Sequence, residues 1–182
     1  METCNEILKV AIDPDGDTIF VLEGTELQVS SKVLSLASVV FTAMFGPHFL
    51  EGKHLNSTNP RRVPLPEDDG GAMTALCNIL HHRAGHVDKN PSSEQLEKLA
   101  TVVDKYDCSQ AITPWSGTWI AYVRQAASTI KEINRLVFPF YAFNDPDSFK
   151  EITRLVVYHT VGFLATPEVT GSLPDGIFGK PR

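Results

Sequence analysis

The chain has 182 residues, a formal net charge of −6 at pH 7, 42% hydrophobic residues and 21% charged residues. This composition is typical of a folded protein with a hydrophobic core, and it excludes an intrinsically disordered chain. The negative charge argues against a nucleic-acid partner, because a phosphate backbone is bound by clustered Lys and Arg. The basic clusters of this chain, such as Arg61-Arg62, are too short for such binding.

The first predicted elements form a β-hairpin. Turn residues at 13–17 precede a strand at 18–22, and a short link at 23–25 leads to a second strand at 26–29. We therefore predict a small sheet at the start of the fold.

An apolar stretch at 27–51 is the segment around which the other elements are expected to pack. Ser30 can cap a helix at its start, Ser38 indicates a break between two short helices, and Gly46-Pro47 ends the pattern. Apolar residues recur at helical spacing within it, at Val33, Leu36, Ala37, Val40, Phe41 and Met44. So wide an apolar face has to be covered by other elements.

A strand and two helices follow this stretch. Pro64 confines the strand at 61–65 to a sheet edge or a strand end. Pro66 opens a predicted helix with acids in its first turn, where the helix dipole favours them. A capping-box pattern at 92–95 then predicts the start of another helix.

The second half of the chain is predicted to be helical. Thr113-Pro114 and Asp145-Pro146 each indicate a helix start with proline in the first position. Between them, Trp115 and Trp119 are expected to pack inward, and a helix at 128–143 is expected to kink or end early at Pro139.

Strands come early and helices later, so the predicted class is α+β, with a small β-sheet covered by α-helices. We predict four regions: an N-terminal tail at 1–12, a sheet-and-helix domain at 13–110, a helical extension at 111–165, and an irregular tail at 166–182.

Cys77, His81 and Cys108 are the best candidates for a chemical site. Residues four apart on a helix share a face, so these side chains could bind a metal or form a thiolate–imidazole pair. Cys77 also lies among apolar residues, where a free cysteine behaves as a small hydrophobe. We favour this structural role, and a zinc- or thiol-dependent enzyme is the less favoured alternative.

Two other groups of titratable residues have ordinary interpretations. His48 and His54 could respond to pH, but histidines in loops are usually solvated. The carboxylates at 67–69 are predicted to be solvated acids at a helix start, because adjacent residues on a helix do not face each other.

The cysteine count and the N-terminus bear on the compartment. Three cysteines at wide spacing predict no disulfide framework and favour a reducing environment. The N-terminus lacks a basic region followed by an apolar run, and no window approaches about 18 uninterrupted apolar residues. We therefore expect a cytoplasmic or nuclear protein without a membrane partner.

The order of elements and several motifs resemble the BTB/POZ domain, in particular the version abundant in filamentous fungi. The motifs are Gly16-Asp17, VSSKVLSLAS at 29–38, VFTAMFG at 40–46, VPLPEDD at 63–69, ILH at 79–81, LA at 99–100 and DKYDC at 104–108. The resemblance covers residues 13–110, and Pro114-Trp115, Trp119 and FNDPDSF at 143–149 are similar to the helical extension of the fungal proteins.

The resemblance implies a protein–protein interaction module that is not an enzyme, forms a homodimer and recruits other proteins. It implies a dimer interface that includes Asp17, Val33 and Leu36, where Asp17 matches the acidic residue of a charged pocket near that interface. It implies no catalytic residue, metal or cofactor.

Phe49, Leu50 and Glu51 match the hydrophobic-x-Glu motif with which some members of the family contact a cullin. The resemblance therefore implies an alternative function as a substrate adaptor of a cullin-type ubiquitin ligase. The chain departs from the family after the second strand, where Ser30 and Ser31 replace a histidine and a lysine found in many members.

Overall fold

The computed structural model of the protein describes residues 7–126 and 129–159, and within these ranges it contains four β-strands and eight α-helices. The strands are β1 (Leu8–Ala11), β2 (Thr18–Leu22), β3 (Thr25–Val29) and β4 (Arg61–Pro64). The helices are α1 (Ser31–Ala37), α2 (Val39–Met44), α3 (Gly70–Leu80), α4 (Ser93–Lys105), α5 (Ser109–Ala126), α6 (Ile130–Arg135), α7 (Val137–Ala142) and α8 (Pro146–His159). The predicted α+β class is confirmed.

The four strands form one sheet in the order β1-β3-β2-β4. Strands β2 and β3 are the predicted antiparallel hairpin, and β1 and β4 add to its two sides in parallel. Phe20 lies opposite Leu27 on one side and opposite Val63 on the other, and all three are buried. This register defines the inner face of the sheet, and β4 is the edge strand that Pro64 predicts.

Strand β1 lies in the region that the sequence analysis predicts to be a tail. Its Leu8 and Val10 alternate with Lys9, which is the period of a strand, and Val10 pairs with Leu27. Its backbone is hydrogen-bonded to one neighbouring strand, β3, and its Leu8 is exposed. An edge strand of this kind lacks the uniformly apolar sequence that identifies a central strand.

Helix α3 begins later than predicted. Asp69 is its N-cap, with Oδ1 accepting a hydrogen bond from the Ala72 backbone N–H at 2.9 Å, and the helix itself starts at Gly70. An N-cap residue has an extended backbone and accepts from the amides that follow. The acids at 67–69 therefore precede the helix and do not form its first turn.

Helix α5 begins earlier than predicted and contains Pro114 in its interior. The Thr113 hydroxyl donates to the Ser109 carbonyl at 3.0 Å, a bond within a helical turn that replaces the predicted capping role. Pro114 lies in the second turn, so it removes one backbone hydrogen bond, the one to the Gln110 carbonyl, and the helix continues through it. The predicted boundary between 110 and 111 therefore falls inside α5.

The helix predicted at 128–143 is two helices within the described residues. Helix α6 is capped by Thr129 and ends before Leu136, and α7 carries Pro139 in its first turn, where no helical N–H partner is required. Helix α8 starts at Pro146 as predicted, because Asp145 accepts from the Ser148 backbone N–H at 3.1 Å.

One hydrophobic cluster extends from Ile12 to Val156 and joins the sheet to the helices. Trp119 is buried as predicted, whereas Trp115 is half-buried against it. Across residues 7–126 and 129–159, no helix combines the length and the apolar character that crossing a membrane requires. The tail predicted at 166–182 lies outside the described residues.

Candidate functional site

Asp17 connects the start of β2 to the start of α1. Its Oδ1 accepts from the Ser31 backbone N–H at 2.8 Å, and its Oδ2 accepts from the Ser31 hydroxyl at 2.6 Å. Gly16 permits this approach, since a Cβ there would lie 2.4 Å from the Val29 carbonyl oxygen. Asp17 therefore orients α1 within its own chain, and Ser31, one of the departures from the family pattern, is its partner.

Val33 and Leu36, the other two residues predicted for a dimer interface, both lie on α1. Leu36 is 77% exposed, Val39 at the start of α2 is 69% exposed, and Val33 is half-buried. Single exposed apolar residues are common, but several in one short segment are typical of a contact surface. We call Val33, Leu36 and Val39 the α1–α2 surface.

The predicted apolar face of the 27–51 stretch is partly wrong. Leu34 and Phe41 are fully buried, whereas Leu36, which the helical spacing places on the same face as Phe41, is exposed. Ser38 causes the difference because its extended backbone, with φ of −146° and ψ of 133°, interrupts the helix at the predicted break. A periodicity cannot be continued across such a break, so each helix has its own buried side.

Ser38 also attaches the start of α2 to the end of α4. Its hydroxyl accepts from the Phe41 backbone N–H at 3.1 Å and donates to the Tyr106 carbonyl at 2.6 Å. Because Ser38 is buried, both bonds are shielded from water. Ser38 therefore fixes the N-terminus of α2 to the end of α4 and helps to orient the exposed residues of α2.

Phe41 anchors α2 in the core. Its ring stacks on Tyr106 with ring centroids 4.5 Å apart, and it also stacks on Phe20 at 6.0 Å and Phe45 at 6.2 Å. Aromatic pairs at these separations add to the free energy of burial. The inner side of α2 is thus rigidly packed beneath its exposed outer side.

An open apolar groove of about 460 Å³ lies beside this anchor. It is lined by residues of α2 and the loop that follows, namely Val39, Val40, Ala43, Met44, Phe49 and Glu51. Phe49 is 52% exposed and Leu50 is 64% exposed, so two residues of the predicted hydrophobic-x-Glu motif line the groove and Leu50 points to solvent beside it. The groove therefore offers an apolar floor with one carboxylate at its side.

The loop that carries Phe49 and Glu51 is held close to the end of α2. Gly52 makes the closure possible, since a Cβ at that position would lie 2.3 Å from the Phe45 carbonyl oxygen and 2.4 Å from that of Gly46. Any other residue would force this loop away from α2. The geometry of the groove consequently depends on glycine at position 52.

The carboxylates predicted to be solvated include one that is buried. Asp68 is 6% exposed, and its two oxygens accept from the Lys105 ammonium at 2.6 Å and the Tyr106 hydroxyl at 2.6 Å. Burial raises the pKa of Tyr106 far above its usual value, and the bond to Asp68 adds to this. The prediction is therefore wrong for Asp68, which fixes the segment before α3 to the end of α4.

Cys77, His81 and Cys108 are close to one another in the fold, but their contacts are structural. Burial raises the pKa of the Cys77 thiol strongly and that of Cys108 to about 11, so both thiols are protonated at neutral pH. His81 contacts the carbonyl oxygen of Cys77, 2.8 Å from Nδ1, and its Nε2 accepts from the Ser30 N–H at 3.1 Å. Within residues 7–126 and 129–159, no group of three or more His, Cys, Asp or Glu side chains is arranged to hold a metal ion.

Sequence reasoning missed the groove, although α2 contained a signal for it. The helix reads VVFTAM, which is apolar on nearly every side, and Phe41 is its one buried residue. A short helix that is apolar all round has to expose part of that surface unless it is enclosed. The loop residues His48 and His54 are exposed, as predicted.

The chain was compared with protein-family models and with curated proteins, and neither comparison found a match. The α+β class and the geometry of the α1–α2 surface therefore come from this chain alone.

Proposed function

We propose that the chain is a non-enzymatic protein–protein interaction module of the BTB/POZ type that homodimerises through the α1–α2 surface. The observation that carries this proposal is the exposure of Leu36 and Val39 on two helices whose inner sides are anchored in the core. The order of elements, a hairpin followed by two short helices and an edge strand, agrees with the motifs that resemble the family.

The energetics favour self-association of such a surface. Full burial of a Leu or Val side chain contributes about 1.5–3 kcal/mol. In a two-fold dimer each such residue is buried in both copies, so its contribution counts once for each copy. Val33, Leu36 and Val39 carry no charge, so they offer an apolar centre, and the exposed Lys32 of α1 is available for a rim. A polar rim would complete the interface in the usual way.

Light scattering coupled to size-exclusion chromatography tests the homodimer. We expect twice the chain mass at tens of micromolar, and a monomer for Val39→Lys, because a buried unpaired ammonium is costly. Val157→Lys is a matched control, since Val157 is 62% exposed on α8, whose main contacts are with α5, α6 and α7. A monomeric parent protein, or equal dissociation by both variants, would overturn the proposed interface.

A second function is favoured by the groove, where Phe49 and Glu51 flank an apolar floor. As its second function, the module would also act as a substrate adaptor of a cullin-type ubiquitin ligase. A helix of the cullin would then occupy the groove. A helix laid into an apolar groove is a common mode of recognition, and Glu51 would select a basic residue on it.

Co-purification of a cullin from host extract tests the adaptor function. Phe49→Ala and Glu51→Ala are expected to abolish recovery without unfolding the protein, because Phe49 is exposed and Glu51 is half-buried, and neither belongs to the hydrophobic core. Glu23→Ala in the hairpin turn is the control for a lost exposed carboxylate. Unchanged recovery with either groove variant would count against this function while leaving the homodimer open to its own test.

A further inference from the structure

His81 joins two parts of the chain that are 51 residues apart in sequence. The Ser30 backbone N–H, immediately before α1, donates to Nε2 of His81 at 3.1 Å. The other ring nitrogen, Nδ1, lies 2.8 Å from the carbonyl oxygen of Cys77 in the last turn of α3. The imidazole therefore bridges the start of α1 and the end of α3 through backbone groups on both sides.

These two contacts define one protonation state. Nε2 faces an N–H donor, so it must be the unprotonated nitrogen, and Nδ1 faces a carbonyl, so it must carry the hydrogen. The neutral Nδ1–H tautomer satisfies both contacts. A protonated ring would direct a second N–H at the Ser30 N–H, which would break that hydrogen bond and place two donors together.

We propose that His81 is a pH-sensitive clasp, which holds the N-terminus of α1 against the C-terminus of α3 when neutral and releases it when protonated. Release would act first on α1, because the Ser30 carbonyl accepts from the Leu34 N–H in its first turn. Asp17 would still hold Ser31, so α1 would loosen without detaching. The proposal rests on these contacts and does not depend on the homodimer.

The charged groups around His81 act on its pKa in both directions. Burial lowers the pKa and is the largest cause, the bond to the Cys77 carbonyl and the charge of Asp13 raise it, and Arg83 and His82 lower it. The net pKa lies below the usual value of about 6.5. Arg83 is itself fixed, since it donates to the carbonyls of Ala11 and Ile12 at 2.8 and 2.9 Å.

The sign of the pH effect follows from this depressed pKa. The unfolded chain binds a proton on His81 more readily than the folded chain does, so the stabilisation is fully present above about pH 6.5 and is lost as the pH falls through the folded pKa. Within that window the unfolding equilibrium constant rises by at most about tenfold per pH unit for one such group.

Nuclear magnetic resonance of the imidazole nitrogens tests the clasp in the unmodified protein. We expect the Nδ1–H tautomer at neutral pH and a titration midpoint of His81 below about pH 6.5, the usual value for histidine. Amide exchange at Leu34, corrected for intrinsic rates, should rise several-fold between about pH 7.5 and about pH 5.5. An Nε2–H tautomer, or a titration midpoint of His81 at or above about pH 6.5, would overturn the proposal.

Two substitutions separate the clasp from general acid effects. His81→Gln keeps an acceptor near the Nε2 position but cannot titrate, so its α1 amide exchange should be independent of pH in this range. His81→Asn places a polar group only near the Nδ1 position and leaves the Ser30 N–H without this acceptor. The α1 amides should therefore exchange several-fold faster than in the parent protein at both pH values. His48→Gln is the control and should retain the pH response of the parent protein. A His81→Gln variant with that same response would refute the clasp.

Discussion

Helices α1 and α2 bury their apolar residues far less completely than the longer helices α4 and α5 do. The first two have seven and six residues, and each buries one large apolar side chain, Leu34 in α1 and Phe41 in α2. The other two have 13 and 18 residues and bury a full apolar stripe. A short helix thus needs few anchors and can present the rest of its surface to a partner.

The comparison also separates two ways of holding a helix. Packing of a stripe holds the long helices, whereas side-chain contacts from distant residues hold the short ones, namely Asp17 on Ser31, His81 on Ser30, and Ser38 on Tyr106. Because few contacts fix the position of α1 and α2, the loss of any one of them should destabilise mainly the helix that it holds.

The largest expected effect is the loss of the aromatic anchor in α2. Phe41→Ala should lower the free energy of unfolding by about 3–5 kcal/mol, because it removes a buried ring and leaves a cavity. Urea unfolding followed by circular dichroism measures this change. Trp119→Ala in α5 is the control. It should lower the free energy of unfolding by a similar amount but leave amide exchange in α2 unchanged relative to the rest of the fold. A loss below about 1 kcal/mol for Phe41→Ala would contradict the anchoring role.

An intermediate effect is expected at the buried Asp68, which bonds to Tyr106, the residue on which Phe41 of α2 stacks. Asp68→Asn removes the charge that pairs with Lys105 and weakens the bond from Tyr106, and should cost about 1–3 kcal/mol. Lys105 is 42% exposed and can be hydrated after the change, which limits the cost. Asp104→Asn on the exposed side of α4 is the control, and thermal unfolding of the two variants should differ clearly.

The smallest expected effect is at the cap of α8. Asp145 accepts from the Ser148 N–H and from the hydroxyls of Ser116 and Ser148, so Asp145→Ala should cost about 1–2 kcal/mol. Desolvation raises the pKa of Asp145, but the bonds from Ser116, Ser148 and Asp147 outweigh it and hold the pKa below the usual value.

The sign of its pH dependence follows. Stabilisation by Asp145 is present above the unfolded pKa of about 3.9 and is lost as the pH falls through the lower folded pKa. Acid titration of stability should therefore show two windows, one for His81 below about pH 6.5 and one below about pH 4 to which Asp145 contributes. Asp145→Ala should remove part of the lower window only, and a change in the upper one would contradict this assignment.

The helix caps and breaks could be predicted from the sequence because they involve residues a few positions apart. The Ser30 cap, the Ser38 break, the capping box at Ser92 and the start of α8 after Asp145 are all where the sequence predicts them. Each depends on one side chain and the backbone amides that follow it. The hairpin and the α+β class follow from the same local signals.

The environment of individual side chains was decided by the tertiary structure. The sequence could not show that Asp68 is buried against residues 37 and 38 positions away, that His81 accepts from Ser30, or that Leu36 is exposed while Leu34 is buried. For Asp68 and His81 the deciding partner is distant in the chain, and for Leu36 the extended backbone of Ser38 separates its helix from that of the buried Phe41. Residue type and local spacing therefore predicted the helices and strands, whereas burial, pairing and the exposed α1–α2 surface required the packed fold.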